Sequence, residues 1–245
     1  MPTSSLSDPT LCAHLVAVVD LKSGLAVHAV AGHRHAYQPI SLAGEKGGDP
    51  FALVSYYANQ GLRALYIADL DSIQGGVPQS DLLRRLISSE PRWDQVIVDI
   101  GWSESSLTTS FLAYAREHKN VFVVFPTECA TGTRSLRQVH GQFAASQTVL
   151  GMDYHDGVFL GGENSERDWL EQADRLGIDR SLILDTATVG TSRGPSIAAT
   201  CQRIHHWVPH MKLYSGGGVR DAVDVKLLLD SGCDHCLVAT ALLPR

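Results

Sequence analysis

Two aspartates occupy equivalent points of a repeated pattern in this 245-residue chain. Asp20 falls in Asp20-Leu-Lys-Ser-Gly24 and Asp153 in Asp153-Tyr-His-Asp-Gly157, each directly after a short apolar run. A carboxyl group at the end of a buried strand is partly desolvated, and a pair of them flanking one small molecule can serve as acid and base at its two ends. A strand-end Asp taken singly more often caps a loop or helix. The repetition is what points to catalysis.

A second constellation suits an anion. Ser215, Gly216, Gly217 and Gly218 form a run ahead of a helix that begins near Asp221. Glycine lets the backbone approach a phosphate closely, and the N–H groups at a helix start are donors without intrahelical partners. Thr240, after the last apolar run, adds a hydroxyl, and Asp185, Thr186, Gly190 and Thr191 form another loop rich in polar and small residues. Asp69 and Asp71 add carboxylates, but no spacing in the chain demands a metal, and none is expected. The histidines show no His-Glu-x-x-His arrangement, and neither a nucleophile elbow nor a Walker loop occurs. No cofactor is expected.

The elements that must position these groups are legible as alternation. Leu15 to Val19, Leu65 to Ala68, Val96 to Val98, Val121 to Phe125, Thr148 to Met152, Ser181 to Leu184, Lys212 to Tyr214 and His235 to Val238 read as strands. Continuous apolar runs of this length suit strands buried on both faces, as in a parallel sheet. Helical patterns lie between them at Phe51 to Gln60, Gln79 to Ser88, Ser105 to His118, Glu166 to Leu176 and Ala222 to Ser231, several stopped by glycine at Gly61, Gly177 and Gly232. Such alternation fits a closed barrel or an open doubly wound sheet. The repeat favours the barrel, because Asp20 and Asp153 follow strands one and five, and Asp99 to Ser105 likewise corresponds to Ser215 to Asp221 after strands three and seven. The expected fold is α/β, a (β/α)8 TIM barrel of two homologous half-barrels forming one domain over residues 1–245. In such barrels the site lies at the C-terminal ends of the strands, with phosphate often held after strands seven and eight. The long stretch from His33 to Gly48 is expected to be a lid.

Composition excludes several alternatives. A net charge of -6 provides no basic footprint for nucleic acid. The five cysteines, with Cys233 and Cys236 the only close pair, read as buried reduced thiols. No apolar run reaches the ~20 residues that span a bilayer, and the polar start lacks a signal layout. A cytoplasmic monomer with a phosphorylated small-molecule substrate, and no membrane or nucleic-acid partner, is the expectation.

Val18-Val-Asp20-Leu-Lys-Ser-Gly24, Gly48-Asp-Pro50 and Leu65-Tyr-Ile-Ala-Asp69-Leu-Asp71 together resemble the opening of the ProFAR isomerase family of histidine biosynthesis, and the likeness continues through Gly151-Met-Asp153, Gly190-Thr191 and Ser215-Gly-Gly-Gly218. The resemblance implies an Amadori rearrangement of an aminoaldose to an aminoketose on a phosphorylated ribose. It implies that Asp153 protonates the furanose ring oxygen and that Asp20 removes the C2 proton. Three departures stand out. Where the family has a glycine-rich phosphate loop after strand three, this chain reads Asp99-Ile-Gly-Trp-Ser, with Glu128 in the next loop. The family's strand-six Thr and the Asp before Gly-Thr fall at Leu184 and Val189, one residue from Asp185 and three from Thr186, and the strand-eight turn reads Ala239-Thr240. The negative charge of Asp99 and Glu128 and the bulk of Ile100 and Trp102 are expected to dismantle the second phosphate pocket. Three alternatives stay open: a different, singly phosphorylated substrate, as in the chemically related phosphoribosylanthranilate isomerase; a barrel that binds a phosphorylated metabolite without turnover; and a cyclase-type sibling.

Overall fold

The structure is a computed structural model that describes residues 6, 8–42, 47–89, 93–103, 110–141 and 143–244. Its centre is a parallel barrel of β1 (Leu15–Lys22), β2 (Ala64–Asp69), β3 (Gln95–Asp99), β4 (Val121–Pro126), β5 (Thr148–His155), β6 (Arg180–Asp185), β7 (Lys212–Gly216) and β8 (His235–Val238). Each strand pairs with the next in chain order, and β8 returns to β1 through Leu15 opposite Cys236, so no edge is left. The expected (β/α)8 barrel is therefore present. β1 and β5, four places apart in the ring, stand on opposite sides of the mouth.

Helices α1 (Pro50–Asn59), α2 (Ser80–Ile87), α3 (Ser110–Glu117), α4 (Thr133–His140), α5 (Glu166–Arg175), α6 (Ala198–Trp207) and α7 (Ala222–Asp230) follow the first seven strands. Their starts are written locally. Asp49 caps α1 ahead of Pro50, Ser165 and Asp168 form a reciprocal capping box on α5, and Asp221 accepts from Val223 N–H and Asp224 N–H on α7. Two helices had no counterpart in the sequence pattern. α4 buries only Ser135, Leu136 and Val139, too few apolar positions to mark a face, and α6 buries Cys201 and Ile204 beside a His205-His206 pair. Residues 104–109, part of the helix anticipated from Ser105, lie outside the described residues. Among the described residues no helix is long and apolar enough to cross a membrane.

Outward strand residues such as Ala17, Val19, Ile67, Val98 and Val123 join the helices in the larger apolar core, while Val16, Tyr66, Ile97, Val124, Val149, Leu182, Tyr214 and Leu237 fill the barrel. At its lower, N-terminal end the Arg180 guanidinium lies 4.6 Å from the Phe122 ring centre, Tyr214 stacks on His235 at 4.9 Å, and Gln95 Nε2 donates to the Tyr214 hydroxyl at 2.7 Å. These side chains stop the barrel from below.

The half-barrel repeat is visible in the backbone. β1 turns back through Ser23 and Gly24, at φ 50 and 80°, into an antiparallel strand Leu25–His28. β5 turns back through Asp156 and Gly157, at φ 52 and 76°, into Val158–Phe159. Two consecutive residues with positive φ are the mark of a type I′ hairpin turn, which both halves share. In the first half the excursion continues to Gln38–Pro39, which pairs with Val27 and His28. Ala31 N–H then donates to Val189 O in the sixth loop at 2.8 Å. The stretch anticipated as a lid is thus in part a small antiparallel sheet laid over the mouth; residues 43–46 within it lie outside the described residues.

Candidate active site

A cavity of about 310 Å³ opens at the C-terminal ends of the strands, where Asp20, Asp153, Gly217 and Gly218 all reach its wall. The hairpin sheet contributes Val27, His28, Tyr37 and Ile40 to the same wall. Alternation along β1 and β5 decides which residues arrive there. Val16, Val18 and Asp20 point inward in succession, as do Val149, Gly151 and Asp153, so the strand's last inward position carries the carboxylate.

The Asp20 carboxylate takes no hydrogen bond from any described residue and faces the cavity. Loss of hydration raises its pKa to about 7. Asp153 is 8% exposed. Its Oδ2 accepts from the Thr127 hydroxyl and from Glu128 N–H, each at 3.3 Å. Burial raises its pKa to about 8, helped by the charges of Glu128 and Asp99 and opposed by those two hydrogen bonds. The mouth therefore holds two carboxyl groups able to keep or release a proton near neutral pH, on opposite strands of one cavity.

The glycine run leaves backbone donors open at the mouth. Gly218 has φ +75°, and a Cβ there would stand 2.7 Å from Gly194 O, so backbone direction and close packing both require glycine. Among the described residues the N–H groups of Gly218 and Val219 have no protein acceptor. Thr240 lies beside them, its hydroxyl 2.9 Å from His28 Nε2.

The corresponding loop after β3 is built alike and filled differently. Asp99 and Gly216 end their strands facing inward, and two residues further on Gly101 has φ +60° where Gly218 has φ +75°. In loop three, however, Gly101 N–H donates to Asp99 Oδ1 at 2.8 Å. The donor that corresponds to the open Gly218 N–H of loop seven is here taken by the protein's own carboxylate. The Tyr66 hydroxyl donates to the other oxygen, Asp99 Oδ2, at 3.3 Å. Bulk plays no part in this. Ile100 and Trp102 are each 1% exposed and point into the outer core, with Trp102 packed edge-on against Phe125 and Phe143, so the bulk expected at this position is turned away from it, while Asp99 and Glu128 do line the cavity.

Several residues singled out in the sequence do not reach the cavity wall. Ser215 is fully buried and its hydroxyl donates to Ile183 O, which ties β7 to β6, and Gly216 packs against Leu237. Asp185 spends its carboxylate on the N–H groups of Asp156, Gly157 and Ala187, holding the β5 turn. The Thr191 hydroxyl donates to Thr188 O inside its own loop. Thr186 and Gly190 do line the cavity, Thr186 with its hydroxyl also 3.0 Å from His155 Nδ1. Asp69 is a cap and brace, accepting from Ser72 N–H, Gln79 N–H and the Gln79 side chain, while Asp71 accepts from Ser23 N–H. No group of three or more metal-ligating side chains occurs among the described residues. The wall also includes Tyr66, His28 and His155, which the sequence reading passed over; for Tyr66 the signal was its inward register between Ala64 and Ala68.

A closed parallel barrel whose two halves each place an Asp at the mouth defines the class, and the sequence places the chain within it. The chain belongs to the histidine biosynthesis protein family, whose model matches residues 14–245. It is similar to an uncharacterized protein of Methanocaldococcus jannaschii, 27% identical over 229 residues, which are 93% of this chain and 92% of that one. It is also similar to the 1-(5-phosphoribosyl)-5-((5-phosphoribosylamino)methylideneamino) imidazole-4-carboxamide isomerase of Lactiplantibacillus plantarum, 23% identical over 235 residues with 91% of each chain covered. The enzyme of that name from Pelotomaculum thermopropionicum is 26% identical over 221 residues, 87% of this chain and 80% of its own.

Proposed function

We propose that this chain is an aldose–ketose isomerase acting on a phosphorylated aminoaldose by an Amadori rearrangement. The observation that carries the reading is the placement of Asp20 and Asp153 on opposite strands of one cavity, beside a glycine loop with open backbone donors. Membership of the family and the named activity of two relatives support it.

The reading assigns one direction of proton flow to each carboxyl group. Asp153, the more strongly perturbed of the two, enters protonated and gives its proton to the ring oxygen as the C1–O bond breaks, leaving an open-chain iminium. Asp20, ionised, removes the C2 proton to give the enaminol. A proton delivered to C1 and one lost from the C2 hydroxyl then complete the aminoketose, with both carboxyl groups returned to their starting states. The N–H groups of Gly218 and Val219 hold the sugar phosphate, so the reacting carbons sit between the two strands.

Because loop three holds Asp99 where a second phosphate would bind, the substrate carries a single phosphate. The test is turnover. Asp20→Asn and Asp153→Asn should each lower kcat for an aminoaldose phosphate by at least about a hundredfold, the scale of one general acid or base. Near-wild-type turnover in either variant rules the mechanism out.

A further inference from the structure

We infer that His155 is a third acid–base residue of this site, taking the proton of the sugar's C2 hydroxyl as the carbonyl of the product forms. The inference rests on the reading of the chain as an isomerase of an aminoaldose phosphate, and it supplies the acceptor for a proton that Asp20 and Asp153 leave unassigned.

The hydrogen bonds around Thr186 fix which imidazole nitrogen carries the proton. A hydroxyl has one hydrogen to give. Thr186 Oγ1 gives its hydrogen to Tyr154 O at 3.1 Å, so it can only accept from His155 Nδ1, 3.0 Å away. Nδ1 therefore bears the hydrogen of the neutral ring, and Nε2 keeps a lone pair. Among the described residues that Nε2 has no hydrogen-bond partner. The contact of His28 Nε2 with Thr240 Oγ1, also on the cavity wall, is not directed in this way, because no carbonyl among the described residues claims the Thr240 hydrogen.

Strand register then sets where the ring stands. His155 follows Asp153 by two residues on β5, so alternation puts both side chains on one face, and both line the cavity that Asp20 faces from β1. Bonds at a tetrahedral carbon diverge, so a C2 whose hydrogen meets Asp20 turns its hydroxyl away from that carboxylate, toward the β5 side. As the enaminol's O–H bond breaks, its hydrogen passes to Nε2 and C2=O forms. The C1=C2 electron pair takes up at C1 the proton that Asp20 removed from C2, which leaves Asp20 ionised again. The imidazolium releases its proton to water at the mouth, where His155 is exposed, and Asp153, having spent one on the ring oxygen, is reprotonated from there.

The test has one readout in the resting protein and one in turnover. Long-range proton–nitrogen correlation spectra of the full chain, with the His155 signals assigned from their loss in His155→Ala, should show the neutral ring protonated at Nδ1 and bare at Nε2. With the glycosylamine of ribose 5-phosphate and propylamine as substrate, His155→Ala should lower kcat by at least about a hundredfold while KM stays within about threefold of wild type. Thr186→Ser, which keeps the hydroxyl, should resemble wild type in both readouts. A ring protonated at Nε2 in place of Nδ1, a near-wild-type kcat for His155→Ala, or a loss confined to KM overturns the inference, and turnover by the wild-type chain still leaves the isomerase reading standing. Absence of ketose product from the wild-type chain overturns both.

Discussion

Asp20 and Asp153 both have their pKa values raised, by influences that differ between them. Asp20 is raised by lost hydration alone, Asp153 by lost hydration and neighbouring carboxylates. A base that must be ionised near pH 7 and an acid that must be protonated near pH 8 predict a bell-shaped kcat/KM with a maximum between those values, rising as Asp20 ionises and falling as Asp153 loses its proton. A flat profile from pH 6 to 9 would contradict the assignment. The same perturbation has a cost in stability. A carboxyl whose folded pKa lies above its unfolded value stabilises the fold below the unfolded value of 3.8, and that contribution drains away as pH climbs toward 7. Asp20→Asn should therefore raise Tm at pH 8 by at least about 2 °C and have less effect near pH 4, as read by thermal melts at both pH values. The positions of both aspartates were legible in the sequence because a repeated motif marks them. The third carboxylate was read for its charge, but its bond to Gly101 depends on a backbone turn that no residue pattern spells out.

Loops seven and three are one design with two fillings, and they should behave differently toward free anion. Inorganic phosphate at millimolar concentration should raise the Tm of the wild-type protein through the donors of Gly218 and Val219. Gly218→Ala should remove that rise, since the added Cβ meets Gly194 O at 2.7 Å and the backbone resists φ +75°. A phosphate-induced rise that survives the change would move the anion site elsewhere. At this scale the strands and the long helices were readable from apolar runs and glycine stops. The short antiparallel excursion after β1 was not, because Leu25–His28 and Gln38–Pro39 are too short and too mixed to announce strands. Ser215 and Asp185 were misplaced for a related reason. A polar residue beside a loop looks the same in sequence whether it faces the cavity or braces a neighbouring strand, and here alternation turns Ser215 away from the cavity and three backbone donors claim Asp185.

Across the whole molecule, closure of β8 onto β1 leaves the barrel dependent on contacts made at both ends of the chain. The lower stop adds contacts from the middle of the chain. Arg180→Ala should lower unfolding free energy by about 1–3 kcal/mol, through lost contact with Phe122 and Tyr214, while KM stays unchanged, because the side chain lies at the end away from the mouth. Urea denaturation and steady-state kinetics on the same variant separate the two outcomes. The circular order itself was inferable only through the repeat, since an open sheet shares the same local alternation.

The lower stop also governs traffic. With Phe122, Arg180, Tyr214, His235 and Gln95 filling the lower end, the described residues leave the mouth as the route for arrivals and departures alike. Departing product and arriving substrate then queue at one doorway, so product should inhibit competitively against substrate. Passage along the barrel axis from beneath would require these side chains to move aside. With those side chains in place, the open route for a small reactant such as ammonia is on the same side as the sugar, past the little sheet that Ala31 fastens to Val189.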